Sequence, residues 1–346
     1  MNVKCAIIIS GGMGDALLWV PTINLLIDKN IDTTLIIRSH FDSEQLFKIL
    51  NIHKISIINI DIDTKTEAIW NAIKYFKKFD YCLLNGISGK SHSNRLTASL
   101  ISDKVVSFEP CPSFHHLFCK WIQKPIDTQH HEIEHCMSLS TSLVGINDVE
   151  EYYHQTDHEQ KSIDMAAPYI LMQCSAGNGI DTYKIPDLAF WEQLTRKLLD
   201  FLPNEFNILL TGTQGESRFD VLIDIDKKRI SSLIGKTSLK DLVEYTKNSK
   251  AYVGTDSGLM HLAFIFQKPI LSFWGGSNPQ LYGYAKFNKE KYISISSQPY
   301  CHPCDSWFRP NTKKVSHPNL CSDHECIKTL KIDDVQLRNF VAKIIY

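Results

Sequence analysis

The chain has 346 residues, 43% of them apolar and 22% charged, with a formal net charge of −1 at neutral pH. That composition excludes a disordered chain and is long enough for two ordinary domains, each with its own core. Near-neutrality excludes a bulk electrostatic pull on nucleic acid or anionic lipid, so any phosphate must be met by local groups.

The most apolar stretch, Ala16–Ile27, is broken by Pro21 and Asn24 and falls short of the roughly 20 residues a membrane span needs. The opening MNVKCAIIIS carries too few apolar residues before its glycines for a signal peptide. The chain is therefore expected in the cytoplasm, with its ten cysteines reduced.

Short β-rich runs alternate with amphipathic segments almost throughout, the pattern of α/β domains with parallel sheets. The first half predicts strands near Cys5–Ser10, Thr34–Arg38, Lys54–Ile58, Tyr81–Leu84 and Lys104–Phe108. Helices are predicted at Thr66–Lys77, Asn94–Ile101 and Glu132–Val144. Directly after the first strand stand Gly11, Gly12 and Gly14, with Asp15 opening a helix. Glycines there permit close backbone approach to a ligand, and a carboxylate on such a loop suits a general base. A dinucleotide turn fits poorly. Leu17 stands where the third glycine belongs, and the second strand ends in Arg38-Ser39-His40 without an acidic ribose ligand.

Between Asp148 and Pro168 periodicity gives way to a polar linker. A second alternating series follows: strand Tyr169–Cys174, helix Leu188–Leu202, strand Asn207–Gly212, a helix after Glu216 and strand Ile230–Ile234. Helix Leu239–Asn248, strand Ala251–Gly254, helix Ser257–Gln267, strand Ile270–Trp274 and a closing helix Asp333–Tyr346 complete it. Ser238 with Asp241 three residues on reads as a capping box. Lys227-Lys228-Arg229 reads as a solvated patch. In parallel sheets ligands bind beyond the carboxyl ends of the strands, where loops enter helix N-termini. There Thr255-Asp256-Ser257-Gly258 leads into a helix carrying His261, one turn from Ser257. This is an anion site by its free amides and helix dipole.

The chain resembles glycosyltransferase family 9, the bacterial heptosyltransferases. GGMGD, IGKTSLKDLVEYTKNSKAYVGTDSGLMHLA and the following KPILSFWGGSNP carry the resemblance, which spans nearly the whole chain. It implies a GT-B architecture, with two Rossmann-like domains facing a central cleft. Residues 1–155 would be the acceptor-side domain and 166–330 the nucleotide-sugar domain, and the helix 331–346 would pack back on the first domain. Asp15 matches the family's catalytic base. Donor contacts are implied for Gly12, Gly14, Ser175, Lys184, Thr213, Glu216, Thr255, Asp256, Ser257, Gly258 and His261. Where the family shows K-x-W-P, Lys184 is followed here by Ile185-Pro186.

The implied reaction moves a heptose or related sugar from a nucleotide-diphosphate donor, ADP-heptose by resemblance, to a hydroxyl of a lipopolysaccharide-core or other glycan. It would proceed by single displacement with inversion and without a catalytic metal or other cofactor. A protein acceptor, or a nucleotide-sugar-binding subunit without catalysis, are the alternatives. No nucleic-acid partner or integral membrane segment is implied, and peripheral contact with the inner membrane stays open.

Cys301-x2-Cys304, then sixteen residues, then Cys321-x4-Cys326, has the spacing of a four-thiolate metal site. Zinc is the default ion and iron suits the same ligands. A related branch that glycosylates autotransporter proteins carries cysteine-bound iron and assembles into rings. Such a site is structural, since four thiolates leave no open position. His131-Glu132-Ile133-Glu134-His135 satisfies the metalloprotease pattern, but its flanks offer no third ligand. His115, His116 and Phe114 read as either packing or acceptor-side loop.

Overall fold

The computed structural model describes residues 2–345 except 39–41, 61–69, 71, 86–90, 113, 128, 146–151, 153–166, 177–181, 298, 300 and 303–320. The chain divides into two compact units, Met1–His158 and Glu159–Tyr346.

In the first unit, β1 (Lys4–Ser10), α1 (Met13–Leu18), α2 (Val20–Asp28), β2 (Asp32–Arg38), α3 (Ser43–Ile49) and β3 (Ile55–Asn59) form one half. The other half contains β4 (Phe79–Leu84), α4 (His92–Ile101), β5 (Ser102–Ser107), β6 (Lys120–Gln123) and α5 (Glu132–Val144). The six strands run parallel in the order β3-β2-β1-β4-β5-β6. Cys5–Ile9 are all buried, as a parallel strand covered on both faces requires. The strand order reverses between β1 and β4, so the loop after β1 opens at the switch point where such sheets bind ligands. Of the predicted helix Thr66–Lys77, residues 70 and 72–74 are helical and much of the rest lies outside the described residues. The sequence reading missed β6, whose four residues carry only a short apolar pair, Trp121-Ile122.

The second unit repeats the plan. It contains β7 (Tyr169–Gln173), α6 (Leu188–Phe201), β8 (Asn207–Leu210), β9 (Ile230–Ser232), α7 (Leu239–Asn248), β10 (Ala251–Thr255) and α8 (Gly258–Ile265). These are followed by β11 (Ile270–Trp274), α9 (Pro279–Tyr282), β12 (Tyr292–Ser296), α10 (Glu325–Lys328) and α11 (Asp334–Ile345). The order β12-β11-β10-β7-β8-β9 again places a switch point, between β7 and β10. The strands of both units therefore form doubly wound sheets of the GT-B type. The helix expected after Glu216 is of the 3₁₀ kind and spans Gln214–Ile225. The Ser238–Asp241 box forms as expected: the Asp241 amide donates to Ser238 Oγ at 3.2 Å and Ser238 N–H to Asp241 Oδ2 at 3.0 Å.

α11, the helix that the resemblance would pack back on the first domain, buries Leu337, Phe340, Val341 and Ile344 in the second unit's own core, with Trp191, Leu194 and Leu198 of α6 in the same cluster. One reading is corrected here. Of the "solvated" Lys227-Lys228-Arg229 run, Arg229 is half-buried and its guanidinium donates to the carbonyls of Leu199, Leu202, Pro203 and Phe206. A helix leaves its last carbonyls without intrahelical donors, and Arg229 satisfies that of Leu199 together with those of the turn that follows α6. Among the described residues no helix is long and apolar enough to cross a membrane.

Candidate functional site

In the first unit the candidate loop is Gly11–Asp15. Asp15 is the third residue of α1, and its Oδ2 accepts from the Gly12 amide at 2.8 Å, closing the helix start. A β-carbon on Gly11 would lie 2.1 Å from that oxygen, so glycine is what lets the carboxylate fold back over the loop. Gly12 has nothing within 4 Å of where its β-carbon would be, and its φ of −85° suits any residue. Glycine here leaves the loop open to approach. Gly14 follows as the second residue of α1.

Beside this loop, α5 carries the protease-like motif. His131 is the helix cap, its Nδ1 accepting from the Ile133 amide at 3.1 Å. Glu132 is wholly buried and accepts from Asn85 Nδ2 at 3.2 Å. His135 places Nδ1 3.4 Å from Glu132 Oε2 and Nε2 2.8 Å from the Asp127 carbonyl. Two acceptors require both ring nitrogens to donate. Burial pushes the His135 pKa down, but Glu132 and the Asp127 carbonyl outweigh it and the value is raised. This is an internal ion pair that fastens the start of α5. His115 is likewise buried, with Nδ1 2.7 Å from Ser99 Oγ, so it belongs to packing, while His116 is exposed.

In the second unit, four neighbouring strand ends converge. Beyond β10 the backbone runs Thr255-Asp256-Ser257 into α8. Lys184, in a 3₁₀ turn after β7, places Nζ 2.8 Å from Asp256 Oδ2. His261, one turn into α8, places Nε2 3.9 Å from Asp256 Oδ1. Burial would push Asp256 up, yet Lys184 and His261 outweigh it and hold the carboxyl below the usual carboxylate range. Burial pushes His261 down to about 4, more than Asp256 restores, so the ring is neutral at pH 7. Burial also raises the Tyr284 pKa well above its ordinary value, so this phenol keeps its proton, and its oxygen lies 2.6 Å from His261 Nδ1. The Asp256 carboxylate on the Nε2 side favours the imidazole proton there, which leaves Nδ1 to accept from the phenol. His261 therefore adds a hydrogen-bond donor here rather than a positive charge.

Ser257 is turned into the sheet: its hydroxyl donates to Gln173 Oε1 at 2.7 Å and lies 3.0 Å from the Tyr252 hydroxyl. It does not cap α8 through its side chain. The first amides of α8, from Gly258 on, thus keep the anion-binding character that a capping oxygen would consume. A β-carbon on Gly254 would meet the Tyr252 hydroxyl at 2.3 Å, which ties this strand end to the same network.

The remaining predicted residues sit beside it. Thr213 caps the 3₁₀ run, its amide donating to Glu216 Oε2. Glu216 is buried, and its Oε1, together with Ser175 Oγ and Thr255 Oγ1, has no hydrogen-bond partner among the described residues. Buried polar atoms are rarely left so, and a row of them at the carboxyl edge of β8, β7 and β10 marks where a polar ligand would complete them. Gln173, Tyr252 and Tyr284 take part in this network and escaped the sequence reading. Each looks like an ordinary strand or loop residue until the fold brings it to this edge.

Of the four clustered cysteines, Cys304 lies outside the described residues. Cys301 and Cys326 are buried, and Cys321 is half-exposed with Sγ 3.9 Å from Asp323 Oδ1. The Ser297 hydroxyl donates to the Cys326 carbonyl and ties the two ends of this segment together. Among the described residues no three His, Cys, Asp or Glu side chains come together as a metal site, so the expected ligand set is not assembled from the part described.

A family model for glycosyltransferase family 9 (heptosyltransferase) matches residues 96–314. The chain is 41% identical over 49 residues to lipooligosaccharide heptosyltransferase 2 of Haemophilus influenzae, a match spanning 14% of each protein. The fold resembles E. coli heptosyltransferase WaaC solved with ADP, with TM-score 0.61 and 16% identity, over 81% of this chain and 89% of that one. It also resembles the iron-containing dodecameric glycosyltransferase TibC of enterotoxigenic E. coli H10407, with TM-score 0.56 and 13% identity, over 100% of this chain and 77% of that one. TibC has also been solved in complex with ADP-D-beta-D-heptose.

Proposed function

We propose that this chain, which belongs to glycosyltransferase family 9 (heptosyltransferase) and is a glycosyltransferase, transfers a heptose or related sugar from ADP-heptose in the cytoplasm. The acceptor is a hydroxyl of a lipopolysaccharide-core or other glycan. The observation that carries this reading is the second unit's strand-end cluster. There Lys184 is the cation beside Asp256, the side chain of Ser257 does not cap α8, and Ser175, Thr255 and Glu216 hold buried polar atoms without a partner among the described residues. That set suits a pyrophosphate joined to a polar nucleoside. WaaC bound to ADP and TibC bound to ADP-D-beta-D-heptose support the choice of nucleotide and sugar.

In this reading the acceptor oxygen attacks the anomeric carbon as the bond to the diphosphate oxygen breaks. ADP leaves with the bonding pair, and Asp15 takes the acceptor's proton. Lys184 and the start of α8 stabilise the charge that grows on the leaving diphosphate, each charge-assisted contact contributing about 1.5–3 kcal/mol. Neutral His261 donates from Nε2. Asp256 holds Lys184 in position until phosphate oxygens share it. A single displacement inverts the sugar carbon, and no metal is required for it.

The cysteines 301, 304, 321 and 326 are proposed as ligands of a structural zinc or iron. This rests on their spacing and on the iron-containing relative, and no step of the transfer passes through it. Elemental analysis of the native protein finding no zinc or iron would remove this site.

The test offers ADP-, GDP-, UDP- and CDP-sugars with core-glycan and protein acceptors, with and without chelator, and reads nucleoside diphosphate release. Chelator-insensitive ADP release that depends on a glycan acceptor is expected. Release confined to another nucleotide, dependence on a protein acceptor, or no release at all each defeats the corresponding part of the reading.

A further inference from the structure

Ser257 stands where a serine ordinarily caps a helix, and its backbone, at φ −151° and ψ 166°, has the extended geometry of such a cap. Elsewhere in this chain serines so placed do cap. Ser238 accepts from the Asp241 amide at 3.2 Å and Ser91 from the Asn94 amide at 3.5 Å. At α8 the hydroxyl does not. Two side chains from neighbouring strands hold it the other way. Gln173, the last residue of β7, takes the Ser257 proton on Oε1 at 2.7 Å. The Tyr252 hydroxyl, on β10, stands 3.0 Å from Ser257 Oγ and donates to the Thr255 carbonyl at 3.0 Å.

The strands are shaped to deliver this contact. Gln173 and Gly254 are register partners on β7 and β10. Tyr252 lies two residues before Gly254, hence on the same face of the strand, and its ring passes over the glycine. A β-carbon there would meet the Tyr252 hydroxyl at 2.3 Å and the Gln173 carbonyl at 2.7 Å. Gln173, Tyr252 and Ser257 are all buried, where an unmet polar group is costly.

The amides this cap would occupy lie at the edge where Ser175 Oγ, Thr255 Oγ1 and Glu216 Oε1 are buried without a partner among the described residues. Lys184 brings a cation to the same edge, 2.8 Å from Asp256. These groups point to an anionic, polar ligand in the place of the cap.

We propose that Gln173 and Tyr252 are positioning residues for the donor: by holding the Ser257 hydroxyl in the sheet, they keep the first amides of α8 open to the diphosphate. The proposal rests on the donor-site reading above. Both residues act through Ser257 rather than by touching the donor. Without its acceptor the hydroxyl turns to cap α8 and competes with the diphosphate for the same amides. A serine cap shifts the equilibrium at a helix start about fivefold, which sets the size of the effect.

The test is calorimetry of ADP binding to the full chain in a double-mutant cycle of Gln173→Met and Ser257→Ala. Amide hydrogen exchange at the start of α8 is followed in the same proteins without nucleotide. Gln173→Met should weaken ADP binding about fivefold and slow that exchange. In the Ser257→Ala background, where no hydroxyl can turn, the same change should do neither. Equal weakening in both backgrounds would make Gln173 merely structural and overturns the proposal, as does unaltered exchange in Gln173→Met. Tyr252→Phe, which removes a single oxygen, carries the same comparison if Gln173→Met does not fold. A wild-type chain that binds no ADP defeats the donor-site reading and this proposal together, whereas ADP binding without the coupling defeats this proposal alone.

Discussion

Replacing Lys184 by alanine isolates the most consequential interaction in the second unit. The Lys184–Asp256 pair is short, at 2.8 Å, and the carboxylate side chain is only 8% exposed. Removing the ammonium leaves Asp256 buried beside a neutral imidazole. Stranding one partner of a buried pair costs about 3–5 kcal/mol. Lys184 itself is 19% exposed, so the lower end, about 3 kcal/mol, is the appropriate figure. For a unit of this size that is a fall of roughly 6–12 °C in melting temperature. The pH dependence has a definite sign. In the wild type Asp256 titrates below its ordinary value, so its stabilisation is present above that value and lost as pH falls through the folded one. In Lys184→Ala burial loses its main opponent and the carboxyl rises, so the penalty is largest at neutral pH and shrinks on acidification. Adding Asp256→Asn removes the stranded charge and should restore most of the loss. Thermal unfolding by circular dichroism at several pH values reads all of this, and calorimetry should find ADP bound about 10- to 100-fold more weakly by Lys184→Ala. A wild-type melting temperature for Lys184→Ala at pH 7, or no rescue by Asp256→Asn, would refute the reasoning.

Asp15→Asn should lower turnover about 100- to 10,000-fold while leaving ADP affinity unchanged, because the candidate donor contacts of the strand-end cluster belong to the second unit. Steady-state kinetics paired with calorimetry separates the two effects. Gly11→Ala forces a β-carbon to within 2.1 Å of Asp15 Oδ2. The flexible carboxylate can yield, so turnover should fall while stability changes by less than about 1 kcal/mol. His261 is held neutral down to about pH 4 against an ordinary 6.5. Its stabilising contribution, roughly 3 kcal/mol, is present above pH 6.5 and lost between 6.5 and 4, a loss that denaturant titrations of His261→Gln should not display. Arg229→Ala removes the guanidinium donor from the carbonyls of Leu199, at the end of α6, and of Leu202, Pro203 and Phe206 just beyond it. It should cost about 2–3 kcal/mol, whereas Lys228→Ala should cost almost nothing.

Periodicity and punctuation alone specify much of this protein. Alternating short apolar runs and amphipathic segments determine two doubly wound units, and the strand–loop–helix passages at Gly11–Asp15 and Thr255–Gly258 identify the candidate loops, because such loops lie at strand ends by construction. Local rules likewise determine the Ser238–Asp241 cap. What only the tertiary structure decided depends on contacts distant in sequence. Lys184 meets Asp256, Arg229 leaves the solvent to close a helix some 30 residues earlier, and His135 is an internal ion pair although its spacing matches a metal motif. The charge state of His261 belongs with these. A histidine beside an aspartate reads as a cation, and complete burial against Tyr284 makes it neutral. No pattern along the chain encodes burial by partners far away, so the protonation states and pairings of the site emerge only when the sheet is assembled.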